Sequence, residues 1–231
     1  MSSRRHLPCL LALLALAPGV EAARPMITDD ARITDPQACQ LETWAQLREH
    51  DGREFWALPA CNPGGNFELT LGGAFARQDG AAQSGAVVVQ GKTLFKPLET
   101  NGWGLGLAAG YATQVASGQS GGPYFYLPGS LSLADDRVVV HLNLGATYFG
   151  DTRETRLTWG LGSETAATER LYVIAETFGL DTGRPSLQGG LRYWVVPGHV
   201  QIDTTVGTNL ADPHGERWLS IGLRLISPPI F

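Results

Sequence analysis

Ionisable side chains recur on one face of alternating segments in this sequence. Glu42, Glu54, Glu68, Lys92, Lys96, Arg156, Glu176, Arg192, Asp203 and Arg224 each have the parity opposite to the bulky apolar residues of their own segment. Both signs occur. Acids and bases on a shared face can neutralise one another in a ladder that fills and stiffens a narrow interior. They can equally line a polar path whose mixed charge tunes what passes. Glu176, Arg192, Asp203 and Arg224 fall in the last four segments and are expected to form one ladder. His141 lies on the same face beside Asn143. A hydrolase needs Ser, His and an orienting acid or amide in one place. No serine has a compelling position near His141, and His50, His199 and His214 fall in turns or loops. An enzyme is therefore not expected, and neither is a cofactor or a metal site. Thr28-Asp29-Asp30 offers two adjacent carboxylates with the look of a cation site. Two acids in a row also cap a turn or solvate an arm, and a structural role at the periplasmic mouth is expected.

The elements that position these groups read as β-strands throughout. Leu219, Ile221, Leu223 and Leu225 alternate with Ser220, Gly222 and Arg224. A period of two puts the aliphatics on one face of a strand. The apolar outer face, the small or polar inner face and the terminal Phe231 resemble the closing strand of a bacterial outer-membrane barrel. Ser227-Pro228-Pro229 cannot continue a ladder, because proline gives no N–H. Similar alternation recurs over 40–48, 53–60, 66–77, 83–97, from 103, over 124–133, 138–150, 156–163, 169–179, 187–196 and 200–208. Pro128 is expected to mark a bulge. From Trp103 onward, Leu105, Leu107, Ala109 and Tyr111 alternate with Gly104, Gly106, Ala108 and Gly110. That strand is bulky outside and bare inside, the reverse of a water-soluble core. About twelve strands result, an even count as single-chain bacterial barrels require. Short turns then fall on the periplasmic side and longer loops outside, with 164–168 a long exception. Trp103, Tyr111, Tyr148, Tyr193 and Trp218 are candidates for the interfacial girdles. A strand in hydrocarbon must have every backbone group paired, so the sheet must close.

Composition agrees. Charged residues are 17% and Gly is 29 of 231 residues. Mean hydropathy of -0.05 is too low for a helical membrane protein, and suits a barrel in which alternate residues face lipid. Residues 1–22 read as a secretory signal peptide: Arg4 and Arg5, an apolar core from Leu7 to Pro18, and small residues Val20 and Ala22 before the cut. Its removal takes away two Arg and one Glu, leaving 15 basic against 21 acidic residues. With no basic patch, nucleic acid is excluded as a partner. The expected partners are outer-membrane lipid, the barrel-assembly machinery during insertion and an unidentified small-molecule solute. Two cysteines remain after the signal. A hairpin about residue 50 sets Cys39 opposite Cys61, close enough for a disulfide; a register shifted by one or two leaves two free thiols. The organisation expected is a signal (1–22), a periplasmic arm (23–38) and an all-β transmembrane antiparallel up-and-down barrel of about twelve strands (39–231).

The arm carries a motif. Arg24-Pro25-Met26-Ile27-Thr28-Asp29-Asp30-Ala31, followed by Gln40-Leu41-Glu42, resembles the start of a family of bacterial outer-membrane transporters associated with the meta-cleavage pathway of phenol degradation. Lys92 and Lys96, Glu176, and the run Gly189 to Tyr193 are similar in pattern. The resemblance implies an outer-membrane barrel that takes up small organic compounds, aromatic ones included. The cysteine pair and the Ser227-Pro228-Pro229 ending depart from that pattern.

Overall fold

A computed structural model describes residues 26–49, 52–78, 84–114, 121–210 and 217–231. The expected signal peptide, and Arg24 and Pro25 of the motif, lie outside the described residues. Twelve strands follow one another: β1 (Cys39–Arg48), β2 (Gly52–Cys61), β3 (Glu68–Gln78), β4 (Ser84–Lys96), β5 (Trp103–Gln114), β6 (Gly122–Leu133), β7 (Val138–Phe149), β8 (Glu154–Ala166), β9 (Leu171–Leu180), β10 (Ser186–Val196), β11 (Val200–Asn209) and β12 (Arg217–Ile226). Each pairs with its neighbours in sequence, and β1 pairs with β12 to close the barrel. The seam is antiparallel and unbroken from Gln40↔Ile226 to Arg48↔Trp218. Closure removes the sheet edges that neither water nor hydrocarbon would satisfy.

The outer face is an apolar belt. Phe75, Val206 and Leu71 are 65%, 63% and 59% exposed, and exposed Leu, Ile, Val and Phe residues continue around the barrel. An apolar surface of that extent is stable only against lipid. Trp103 and Tyr193 stand exposed near the end that carries the termini, and Tyr111 and Tyr148 near the opposite end. Trp218 does not belong to this girdle. It shares parity with Ser220 and Gly222, is buried in the lumen and donates its indole N–H to Gln188 at 2.9 Å. Parity, not aromatic character, decides its side.

The short connections at the terminus end are 62–67, 97–102, 134–137, 167–170 and 197–199. In even-stranded barrels this is the periplasmic end. The long turn expected at 164–168 shortens because β8 runs on through Ala166. In the 134–137 turn, Ala134, Asp135 and Asp136 all take positive φ. The strain is held by Asn101, which donates to Asp135 at 2.6 Å and accepts its N–H at 2.8 Å. Hydrogen bonds from Ser132 and Thr100 hold the Asp136 carboxyl below the usual carboxylate range.

Pro128 does not create a bulge. The missing N–H interrupts the β5–β6 ladder between Leu105↔Gly129 and Ala108↔Tyr126, with the same register on both sides. The real irregularities lie at Leu94/Lys96 and Trp194/Val196. The first corrects the expectation for Lys96. One extra residue reverses parity, so Lys96 pairs with the outward Leu105. Its ammonium lies 5.1 Å above the Trp103 ring and 3.2 Å from Glu99, at the rim and outside the lumen.

Candidate functional site: the lumen and its N-terminal arm

The arm enters the barrel. It was expected at the periplasmic mouth, but its described residues from Met26 to Thr34 lie among inward side chains. Met26, Thr28, Asp29, Asp30, Ala31 and Thr34 are all buried. Their partners come from six strands around the ring: Glu68 on β3, Lys92 on β4, Tyr126 and Ser130 on β6, Asn143 on β7, Gly160 and Gly162 on β8, and Glu176 on β9. A segment touching all of these must run through the interior.

The contacts divide into two kinds. Most read the arm's backbone. Glu176 accepts the N–H groups of Ile27 and Thr28, both at 2.7 Å, one on each carboxylate oxygen. Asn143, with its amide in the orientation that satisfies both partners, accepts the Asp29 N–H at 2.7 Å and donates to the Asp29 carbonyl at 2.9 Å. Ser130 accepts the Ala31 N–H at 2.8 Å. Glu68 accepts the Thr34 N–H at 2.8 Å and its hydroxyl as well. The second kind is ionic. Lys92 lies 2.7 Å from Asp29 and 3.7 Å from Asp30, and Tyr126 donates to Asp29 at 2.9 Å. Thr28-Asp29-Asp30 therefore meets an ammonium of the protein itself, which is why these carboxylates are not the start of a cation site. Where the arm passes β8 the wall is bare. A Cβ on Gly160 would lie 2.5 Å from Thr28 Oγ1, and one on Gly162 would lie 2.7 Å from Met26 Cε.

The remaining inward charges form separate groups, not the single ladder expected. Arg192 on β10 lies 3.5 Å from Asp203 on neighbouring β11 and reaches past β9 to Glu164 on β8 at 2.6 Å. Arg224 joins the seam instead, 3.4 Å from Glu42 and donating to Gln40 at 2.8 Å. Glu176 turns to the arm and to Gln188. Strand order explains the split: Arg192 and Asp203 face each other in register, whereas Arg224 faces Glu42. Arg156 sits at the loop end, 32% exposed and 2.6 Å from Glu154. Glu54 bonds Arg48 at 2.9 Å and the Trp56 indole at 3.1 Å.

His141 has a serine neighbour that its local sequence does not show. Ser130 lies opposite it in the β6–β7 register. Its Oγ is 2.9 Å from His141 Nδ1, while Glu164 lies 3.3 Å from Nε2. Serine, imidazole and carboxylate stand in line, but Ser130 is committed to the Ala31 amide and Ala31 is wholly buried over it. No acyl group can approach that hydroxyl while the arm is docked. Glu164 was missed because it was placed in a turn; Ser130 was missed because pairing across strands is not written in local spacing.

Toward the loop end the wall from β1 to β6 becomes apolar. Trp44 and Trp56 stack face to face, with centroids 5.4 Å apart, and Leu58, Val88, Ala74, Ala108, Tyr124 and Tyr126 pack with them. On the bare face of β5, a Cβ on Gly110 would clash with the Val89 carbonyl oxygen and lie 2.7 Å from the Tyr124 hydroxyl. A cleft between the arm and β1–β4, lined by Asp30, Glu42, Glu68 and Lys92 among others and by Arg224 from β12, has room for about two waters. A second lies above Ile27, between Tyr124, Tyr126, Thr147 and Thr158. At the terminus end a disulfide joins Cys39 and Cys61, which face each other in the β1–β2 register.

A family model described as Uncharacterised conserved protein UCP029691 matches residues 10–226. The chain belongs to this family. No curated protein matches it. Among solved structures, the family member is similar to the NanC porin, with a TM-score of 0.64 at 10% identity over 80% of this chain and 98% of that one. It is similar to the KdgM porin, with a TM-score of 0.61 at 12% identity and the same coverage. The COG4313 outer membrane channel from Pseudomonas putida F1 aligns with a TM-score of 0.56 at 11% identity, over 86% of this chain and 98% of that one. At these identities the likeness is one of fold, and that fold is the outer-membrane porin barrel. Together with the closed sheet and the apolar belt it makes this UCP029691-family protein a barrel of the outer membrane.

Proposed function

We propose that the protein is an outer-membrane channel for small organic compounds, held closed by its own N-terminal arm. The docked arm carries the reading: a porin-type barrel whose interior is filled by a segment joined to it only at Ala38–Cys39. Residues 26–34 leave through the periplasmic end if their backbone contacts and the Lys92 pairing are released. The finer reading, aromatic solutes, rests on the motif from Arg24 to Ala31 and on the apolar wall of Trp44, Trp56, Tyr124 and Tyr126. The solved KdgM porin that this barrel resembles is a complex with a disordered oligogalacturonate, so barrels of this shape meet organic solutes. Export through a signal at residues 1–22 completes the reading; the purified protein is expected to begin at Ala23 on N-terminal sequencing.

The test is conductance in planar bilayers and solute flux in liposomes. Intact protein should give rare, small openings. Lys92→Ala, which leaves Asp29 and Asp30 without their cation, should raise open probability, and phenolic solutes should enter liposomes faster than sugars of similar size. Silence from both proteins would eliminate the channel. A non-conducting barrel is the second reading, favoured by the burial of nearly every inward side chain, and it predicts that silence.

A further inference from the structure

The wall that holds the arm recognises it as a peptide. Glu176, Asn143, Ser130 and Glu68 bind the backbone amides of residues 27, 28, 29, 31 and 34. Backbone recognition of an extended strand does not depend on which side chains that strand carries. Side-chain recognition is confined to a few places. Lys92 and Tyr126 select a carboxylate at position 29, and Lys92 reaches a second at position 30. Ala31 is fully buried, so a small residue is required there. Gly160 and Gly162 leave bare wall for the residues before the acids. These groups are fixed on the strands of the barrel, not on the arm, and they persist when the arm withdraws.

We infer that the lumen is a binding site for extended acidic oligopeptides, of which the arm is the tethered occupant. The ligand class is a short peptide with two successive carboxylates followed by a small residue. The occupant in cis keeps the site filled until a peptide in trans outcompetes it. The inference goes beyond passage of solute, because it holds for a conducting or a silent barrel.

The experiment uses the full chain with a weakened arm, Asp29→Asn, in detergent micelles. Heat-modifiable gel mobility reports that the barrel is folded. The probe is a fluorescent peptide with the sequence of residues 26–34, followed by anisotropy. Saturable binding is expected, at least tenfold tighter to Asp29→Asn than to the parent chain, whose own arm competes. A peptide with Asn at position 29 should bind at least tenfold more weakly, and adding Lys92→Met to the protein should erase that difference. A peptide N-methylated at the Ile27 and Thr28 amides should fail to bind, because it then offers Glu176 no donor and the methyl groups clash with the carboxylate. A second weakened arm, Ala31→Asp, should behave as Asp29→Asn does, and serves in its place if that chain does not fold. No saturable binding to either weakened chain would overturn the inference. So would equal binding of the Asp and Asn peptides, or full binding of the N-methylated one. Flux is not read in this experiment, so failure here and failure of the channel reading are separate results.

Discussion

The two ends of the chain meet at one place and then part. Cys39 donates its N–H to the Ser227 hydroxyl at 2.9 Å and accepts the Ser227 N–H at 2.8 Å; Gln37 accepts the Ile230 N–H at 2.8 Å. From that junction the N-terminal arm turns into the lumen and is buried. The C-terminal tail stays outside, with Ile230 and Phe231 58% and 56% exposed. Hydrophobicity alone would bury the tail and expose Asp29 and Asp30. The reverse holds because the interior of this barrel is polar and the exterior faces lipid. An arm rich in acids and free amides finds Lys92, Glu176, Asn143 and Glu68 inside. A tail of Ser-Pro-Pro-Ile-Phe has few donors to offer that interior and stays at the rim, where the Ile230 N–H bonds Gln37.

Substitutions can break this contrast by degrees, and hydrogen exchange of the amides of residues 27–34 reads each one. Gly160→Leu should have the largest effect. The added side chain occupies the place of Thr28, so protection across the arm should be lost while the strands keep theirs. Lys92→Ala follows. It strips a buried pair of its cation, a loss of about 3–5 kcal/mol where the partner stays charged, and protection should fall most at residues 29–31. Adding Asp29→Asn should recover part of it. Cys39→Ser comes third. Opening a loop of this length costs about 3 kcal/mol in the chain-entropy account, and should be read as lower barrel stability with fraying at 37–39, leaving residues 27–31 protected. Deleting Ile230 and Phe231 should change arm protection least of all. Its effect is expected in membrane assembly, so unchanged surface levels would show the terminal Phe to be incidental.

Much of the barrel was legible in the sequence because its information is local. Period-two alternation gave the strands and their outward faces, and a hairpin about residue 50 already set Cys39 against Cys61. Arg192 and Asp203 sit on adjacent strands, so their pairing too could be anticipated. The arm could not be placed this way. It has no period, and its partners at 68, 92, 126, 130, 143 and 176 come together only when the ring closes. Lys96 was misplaced because one inserted residue before it reverses parity, and nothing in Leu94-Phe95-Lys96 announces a bulge. Glu164 was lost to a turn because Thr165 and Ala166 look like loop residues, though Thr165 pairs with Val138 and Val173 and Ala166 with Tyr172 in the ladders.

The docked arm also fixes an order in time. The Ile27 amide bonds Glu176, 149 residues further along the chain, and Gln40 pairs with Ile226 at the seam. Neither can form until most of the barrel has been made, and contacts so distant in sequence are the slow ones. The arm precedes every strand of the barrel in sequence and is nonetheless among the last segments to find its place. A barrel caught midway through insertion would be open along its seam and hollow at its centre. Completing the membrane wall and stopping the hole through it are tasks for the same stretch, residues 26–48.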